Sequence, residues 1–203
     1  MTHFRRSSDR EGNIPSMKFN TPINFTLLTD LLKSYGDVDE IVFKSHSSLD
    51  EHRIAEICRE SGRLSAHLQL HHPGRNAIEI AAQLGISVQK DTWEIAAGKV
   101  IYFGECSHNP SVIRLNAGII RQLSELMNQW AGESERQWFS EDKILDVAAA
   151  HELYHLIEHH VHGPAAELGA HSFARQFTGL PFSPLLYHVL LSHLSKGEGF
   201  KYK

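Results

Sequence analysis

Between Ala148 and Ile157 the chain reads Ala-Ala-Ala-His-Glu-Leu-Tyr-His-Leu-Ile, placing His151 and His155 four residues apart with Glu152 directly after the first. On a helix, positions i and i+4 share a face with β-carbons roughly 5–6 Å apart, so two imidazoles there can converge on one Zn²⁺. Glu152 then lies beside the metal rather than on it. From there its carboxylate can take a proton from a metal-activated water, whose pKa zinc lowers toward roughly 7. The three alanines ahead of His151 suit a buried helix packed closely against its neighbours.

The string alone is not decisive. The chain holds 15 histidines, eight of them between His151 and His193, and a chain this rich in histidine can produce H-E-x-x-H by chance. The competing reading is a solvated histidine face, because His151, His155, His159 and His162 would fall on one stripe of a continuous helix. A third ligand separates the two readings, since a catalytic zinc site needs one together with an open position. His162 is a poor candidate: on an unbroken helix it stands about 16 Å along the axis from His151. Gly163-Pro164 is a stop followed by a restart, with proline suited to the first turn of a new helix. That helix presents Glu167, Ala170, His171, Ala174 and Phe177 on one stripe, with a carboxylate and an imidazole at the near end. Glu167 is the leading third ligand and His171 the alternative.

Together these residues carry a family resemblance. Ala149-Ala-His-Glu-Leu-Tyr-His155, followed by Glu167-x-x-Ala-His-x-Phe-Ala174 and Leu180-Pro181, resembles the ImmA/IrrE-like metallopeptidases. Their pattern is an H-E-x-x-H helix, a glutamate four residues before an Asn-x-Phe-Ala segment, and a terminal Leu-x-Pro or Met-Pro. The Ile-Ala-x-x-Leu-Gly type of helix from Ile80 to Gly85 is similar to theirs, and the resemblance covers about residues 76–184. It implies a zinc ion held by His151, His155 and Glu167, with Glu152 as general base. The implied activity is limited proteolysis of a protein, often a helix-turn-helix repressor. Two positions depart from the pattern. His171 stands where the family usually has asparagine; a polar group there commonly accepts a hydrogen bond from the far nitrogen of a ligand histidine. Neutral His171 can do the same, and metal competition or core packing are the alternatives. The terminal segment is Phe177-Thr-Gly-Leu-Pro181 rather than Leu-Leu-Met-Pro. The chain has no recognisable helix-turn-helix of its own, so a DNA-binding partner would be a separate protein.

The elements that must position these groups are legible in outline. Ser140 is a helix cap followed by Glu141 and Asp142, which starts the motif helix. Upstream, Asn76 and Glu79 have capping-box spacing before a helix that Gly85 ends. A helix after Ser48 carries Ile54, Ile57 and Cys58 inward, and leucines at 27, 28, 31 and 32 predict another before the apolar run at 41–43. Ile86 and Val88, then Val100 and Tyr102, then Val112 to Leu115 read as a small antiparallel meander. Cys106 and His108 fall in its predicted hairpin loop. The Ser111 to Leu115 strand is the expected edge for an extended peptide substrate. After Asn116 a helical stretch runs to a break near Gly132. A last helix from Pro184 to Leu194 brings Tyr187 and His188 as candidate oxyanion stabilisers, while Tyr154 is expected in the core.

The predicted fold class is therefore α+β: a mostly helical single domain over 17–203, a sheet of about three strands, and a flexible arm over 1–16. Composition agrees. Of 203 residues, 41% are hydrophobic and 22% charged, enough to bury one sizeable core. Twenty Lys and Arg against 24 Asp and Glu give a net charge of -4, which disfavours direct nucleic-acid binding. Two cysteines, Cys58 and Cys106, make no disulfide framework; with no apolar run of membrane length and no secretory h-region, the expectation is a cytoplasmic protein without a membrane segment. The alternative to an enzyme is a catalytically silent regulatory module that keeps the fold and binds a partner.

Overall fold

In the computed structural model, which describes residues 49–93, 103–158 and 160–197, several helices begin where side chains supply caps. The Asp50 carboxylate accepts from the Arg53 amide at 2.8 Å and starts α1 (Glu51–His71). At α2 (Ala77–Gln83), the Asn76 side chain accepts from the Glu79 amide at 2.9 Å and the Glu79 carboxylate accepts from the Asn76 amide at 3.0 Å. This reciprocal pair satisfies two otherwise orphaned donors. Gly85, at φ +75°, then turns the chain into the sheet.

The sheet comprises β1 (Ser87–Asp91), β2 (Gly104–His108) and β3 (Ser111–Asn116) in the order β1-β3-β2. β3 pairs with β1 in parallel, Val88 opposite Ile113, and with β2 antiparallel, Cys106 opposite Ile113. The sheet is mixed, which corrects the expected antiparallel meander. Apolar alternation identifies a strand but carries no sign of its direction, and here β2 runs back antiparallel to β1, so that β3 comes to lie parallel to it. Two further expectations change with it. Cys106 and His108 lie on a strand, not in a loop; and Ser111 to Leu115 forms the central strand, leaving β2 as an edge among the described residues.

After the sheet come α3 (Ala117–Trp130), the short α4 (Glu133–Arg136), α5 (Glu141–Ile157), α6 (Pro164–Thr178) and α7 (Leu185–Gly197). α5 is buried on nearly every side, with Ile144, Leu145, Val147, Leu153 and Leu156 all inside. It forms the middle of the molecule, against α6, β2, β3, α2 and α3. Phe139, Phe173, Phe182, Ile113, Leu115 and Ile120 fill the main core around it. α1 packs on the far side of α6, where Ile54 and Ile57 meet Leu168. The α+β class stands: mostly helical, with a three-stranded sheet. The predicted arm, the leucine helix and the 41–43 run lie outside the described residues, as do Val100 and Tyr102.

Candidate metal centre

Ser140 Oγ accepts from the Lys143 amide at 3.3 Å and fixes the start of α5, eleven residues ahead of His151. The helix ends at Ile157, with Glu158 extended beyond it. His162 is therefore off the helix, and the stripe required by a solvated histidine face does not exist as one helical surface. Gly163, at φ +62°, takes a backbone conformation open to glycine. Pro164 follows at the first turn of α6, which packs directly on α5.

This reversal brings Glu167 onto the two imidazoles. His151 Nε2 and His155 Nε2 are 3.2 Å apart, Glu167 Oε2 is 3.5 Å from His151 Nε2, and Glu167 Oε1 is 3.6 Å from His155 Nε2. Ligands at about 2.0–2.1 Å from a tetrahedral zinc sit roughly 3.3–3.4 Å apart, so this triangle has the size of a three-ligand face. Among the described residues, this is the group of three His, Cys, Asp or Glu side chains that could hold a metal ion. The donor types, two imidazole nitrogens and a carboxylate, suit zinc and would accept other first-row divalent ions. The Glu167 side chain is 54% exposed and the two rings 18% each, so the open side of the triangle faces solvent. A cavity of about 570 Å³ adjoins it, lined by His108, His155, Glu158, Val161, His162 and Glu167.

Electrostatics prepare the same groups. Burial, reinforced by the neighbouring His151, pushes His155 down to about 4, so the ring is neutral at physiological pH as a ligand must be. Burial alone would raise Glu167, but a hydrogen bond from His151 and the charges of His151 and His155 bring it below the usual carboxylate value. Glu152 is buried, and its pKa is raised mainly by that burial. Its Cγ packs against Gly104 of β2, and burial together with the Glu152 charge pushes the Cys106 thiol up to about 12.

His171 is buried with its ring 4.8 Å from that of His151, and burial holds its pKa well below the ordinary value. It stands behind His151 rather than in the converging triangle. Tyr154 is core as expected, packed on Phe173 with its hydroxyl against Gly169. The two oxyanion candidates part company. Tyr187 is buried among Phe139 and Phe182 and donates to the Trp138 carbonyl at 2.6 Å, a packing position. His188 packs edge-on against Phe103 at 4.8 Å, close enough for its charge to act on Glu167 and His171.

What sequence reasoning missed is the contribution of β2. Gly104, Cys106 and His108 share one face by strand alternation; Gly104 meets Glu152, and His108 lines the cavity beside His155. The run Gly-Glu-Cys-Ser-His carries no strand signature, and only its juxtaposition with an alternating partner segment could have hinted at pairing. Among the described residues no helix is long and apolar enough to cross a membrane. Compared with known protein families, with curated proteins and with solved structures, the chain matches none.

Proposed function

We propose that the protein is a zinc metallopeptidase performing limited proteolysis of a protein substrate, with Glu152 as general base. The observation that carries this reading is the convergence of His151, His155 and Glu167 from two helices, with Glu152 buried beside them. A divalent ion held there would supply Lewis acidity, polarising a scissile carbonyl and lowering the pKa of water.

The chain's own residues do the rest. His155, kept neutral by burial, and His151 offer nitrogen lone pairs, while Glu167 adds a charged oxygen. Glu152, away from bulk water, accepts the proton of the attacking water and returns it to the leaving amine. Its raised pKa brings it nearer to both tasks at neutral pH. His171 supports the His151 ring from behind, and His188 is the residue on hand to steady developing negative charge. The β2 edge, running past Glu152, is the segment on which an extended substrate could add as a further strand. We take the substrate to be a separate protein in the cytoplasm, of the helix-turn-helix repressor class that the motif resemblance suggests.

The test is Glu152→Gln. Cleavage of candidate repressors, followed by mass spectrometry of the fragments, should fall about 10²–10⁴-fold while metal content stays at the wild-type level. Undiminished function in Glu152→Gln would sink the peptidase reading in favour of a binding module.

A further inference from the structure

The cavity of about 570 Å³ beside the His151, His155 and Glu167 triangle has a wall that the triangle does not use. His108 reaches it from the end of β2, Glu158 from the end of α5, and Val161, His162 and Ala166 from the turn into α6. Its volume is in the range of a ligand site and exceeds that of one long side chain. Among the described residues, the ligand atoms that converge are those of the triangle, so His108, Glu158 and His162 assemble no second metal cluster.

The charge of this wall has one sign. Its carboxylates are Glu158 and Glu167, and no Lys or Arg lines it. Glu158 is half-buried at the C-cap of α5, where its amide donates to the Tyr154 carbonyl at 2.8 Å. The last carbonyls of a helix carry partial negative charge, so a carboxylate is disfavoured at this end and a cation is stabilised. Glu158 Oε1 accepts from the His160 amide at 3.0 Å, which ties the carboxylate to the turn. No Lys or Arg among the described residues forms an ion pair with it. The half-buried Val161 and Ala166 add apolar surface to the same wall.

We propose that this cavity is a substrate subsite for a Lys or Arg side chain next to the scissile bond, with Glu158 and the C-terminal carbonyls of α5 receiving the cationic head. The placing of that side chain next to a scissile bond rests on the peptidase reading; the recognition of a cation does not. An aliphatic stem lies against Val161 and Ala166 while its head stays with the carboxylate. With Glu167 committed to the metal, Glu158 is the carboxylate left in the wall to set the preference.

Peptides that differ only in lysine against norleucine test the charge alone. Zinc-loaded Glu152→Gln keeps the triangle and lacks the general base. By fluorescence anisotropy at about pH 8, above the ordinary imidazole range, it should bind fluorescein-labelled lysine peptides about tenfold tighter than norleucine peptides. Adding Glu158→Gln should bring that ratio close to one. The Gln oxygen still accepts from the His160 amide, so the turn is kept and the charge is removed. A ratio near one before Glu158 is changed, a tenfold ratio that survives Glu158→Gln, or binding of neither peptide would overturn the subsite. Internally quenched versions of the same peptides should be cut by the wild type next to the lysine, with kcat/KM about tenfold above norleucine. Cleavage indifferent to the side chain would overturn the subsite and leave the peptidase reading standing. Binding that prefers lysine through Glu158, with no peptide cut by the wild type, would support the cation subsite and sink the peptidase reading.

Discussion

Gly169 lies between Glu167 and His171 on α6, and it is the residue that lets α6 approach α5. A β-carbon there would come within 2.5 Å of Tyr154 Cζ and 2.8 Å of Cε1, with the hydroxyl nearer still. Ordinary carbon contacts begin near 3.5 Å, so the overlap is about 1 Å against a buried ring. The ring has little room to yield, being packed on Phe173 at a centroid distance of 5.6 Å. Overpacking of this kind costs about 1–3 kcal/mol, and an overlap this large belongs at the upper end. Replacing a helical glycine with alanine returns about 1 kcal/mol. Gly169→Ala should therefore destabilise the fold by about 2 kcal/mol, lowering Tm by about 4–8 °C for a chain of this size. Because the displaced segment carries Glu167, zinc affinity should fall as well. Urea denaturation of the metal-free protein and a zinc titration read the two effects separately. Tyr154→Phe, which removes the nearest atom, should recover part of the loss in a double-mutant cycle. A Gly169→Ala protein as stable as wild type, with unchanged zinc affinity, would refute the close-approach argument.

Other consequences are more direct. His155 is neutral in the fold down to about pH 4, whereas the unfolded chain protonates near 6.5, so as pH falls through this window the unfolded state binds more protons and stability drops. His171 acts in the same direction, while the raised pKa of Glu152 acts in the opposite one, favouring the fold as its carboxyl protonates. In the Glu152→Gln background, which removes the opposing carboxyl, urea denaturation of the metal-free protein should show a loss of more than about 1 kcal/mol between pH 7.5 and 5.5, and a gain would contradict the burial argument. Tyr187→Phe should cost about 1 kcal/mol through the Trp138 carbonyl left without its donor, yet leave peptide cleavage within twofold of wild type. A loss of kcat without loss of stability would return the tyrosine to the oxyanion role.

Much of this arrangement was legible in the chain because local chemistry marks it. Asn76 with Glu79, Ser140, and Gly163 with Pro164 announce helix ends through hydrogen-bonding or dihedral demands that few other residues meet. The place of Glu167 followed from the same logic: once Gly163-Pro164 turns the chain, the first carboxylate of the next helix returns to the histidines. Strand direction was not legible, since alternation is the same read either way. β2 was missed because its strand character comes from pairing with β3 rather than from its own residues. Tyr187 and His188 could not be separated either: neighbours on a helix point roughly 100° apart, and only the packing of Phe139 and Phe182 decides which turns inward.

The central claim is that one metal ion is held jointly by α5 and α6. The most direct measurement is metal content per chain by elemental analysis, on wild type and Glu167→Ala purified without a histidine tag and without added metal. The account predicts about one zinc per wild-type chain and a marked loss in the variant. A wild-type chain that stays empty after zinc addition and dialysis would contradict it, and metal fully retained in Glu167→Ala would move the third ligand to His171.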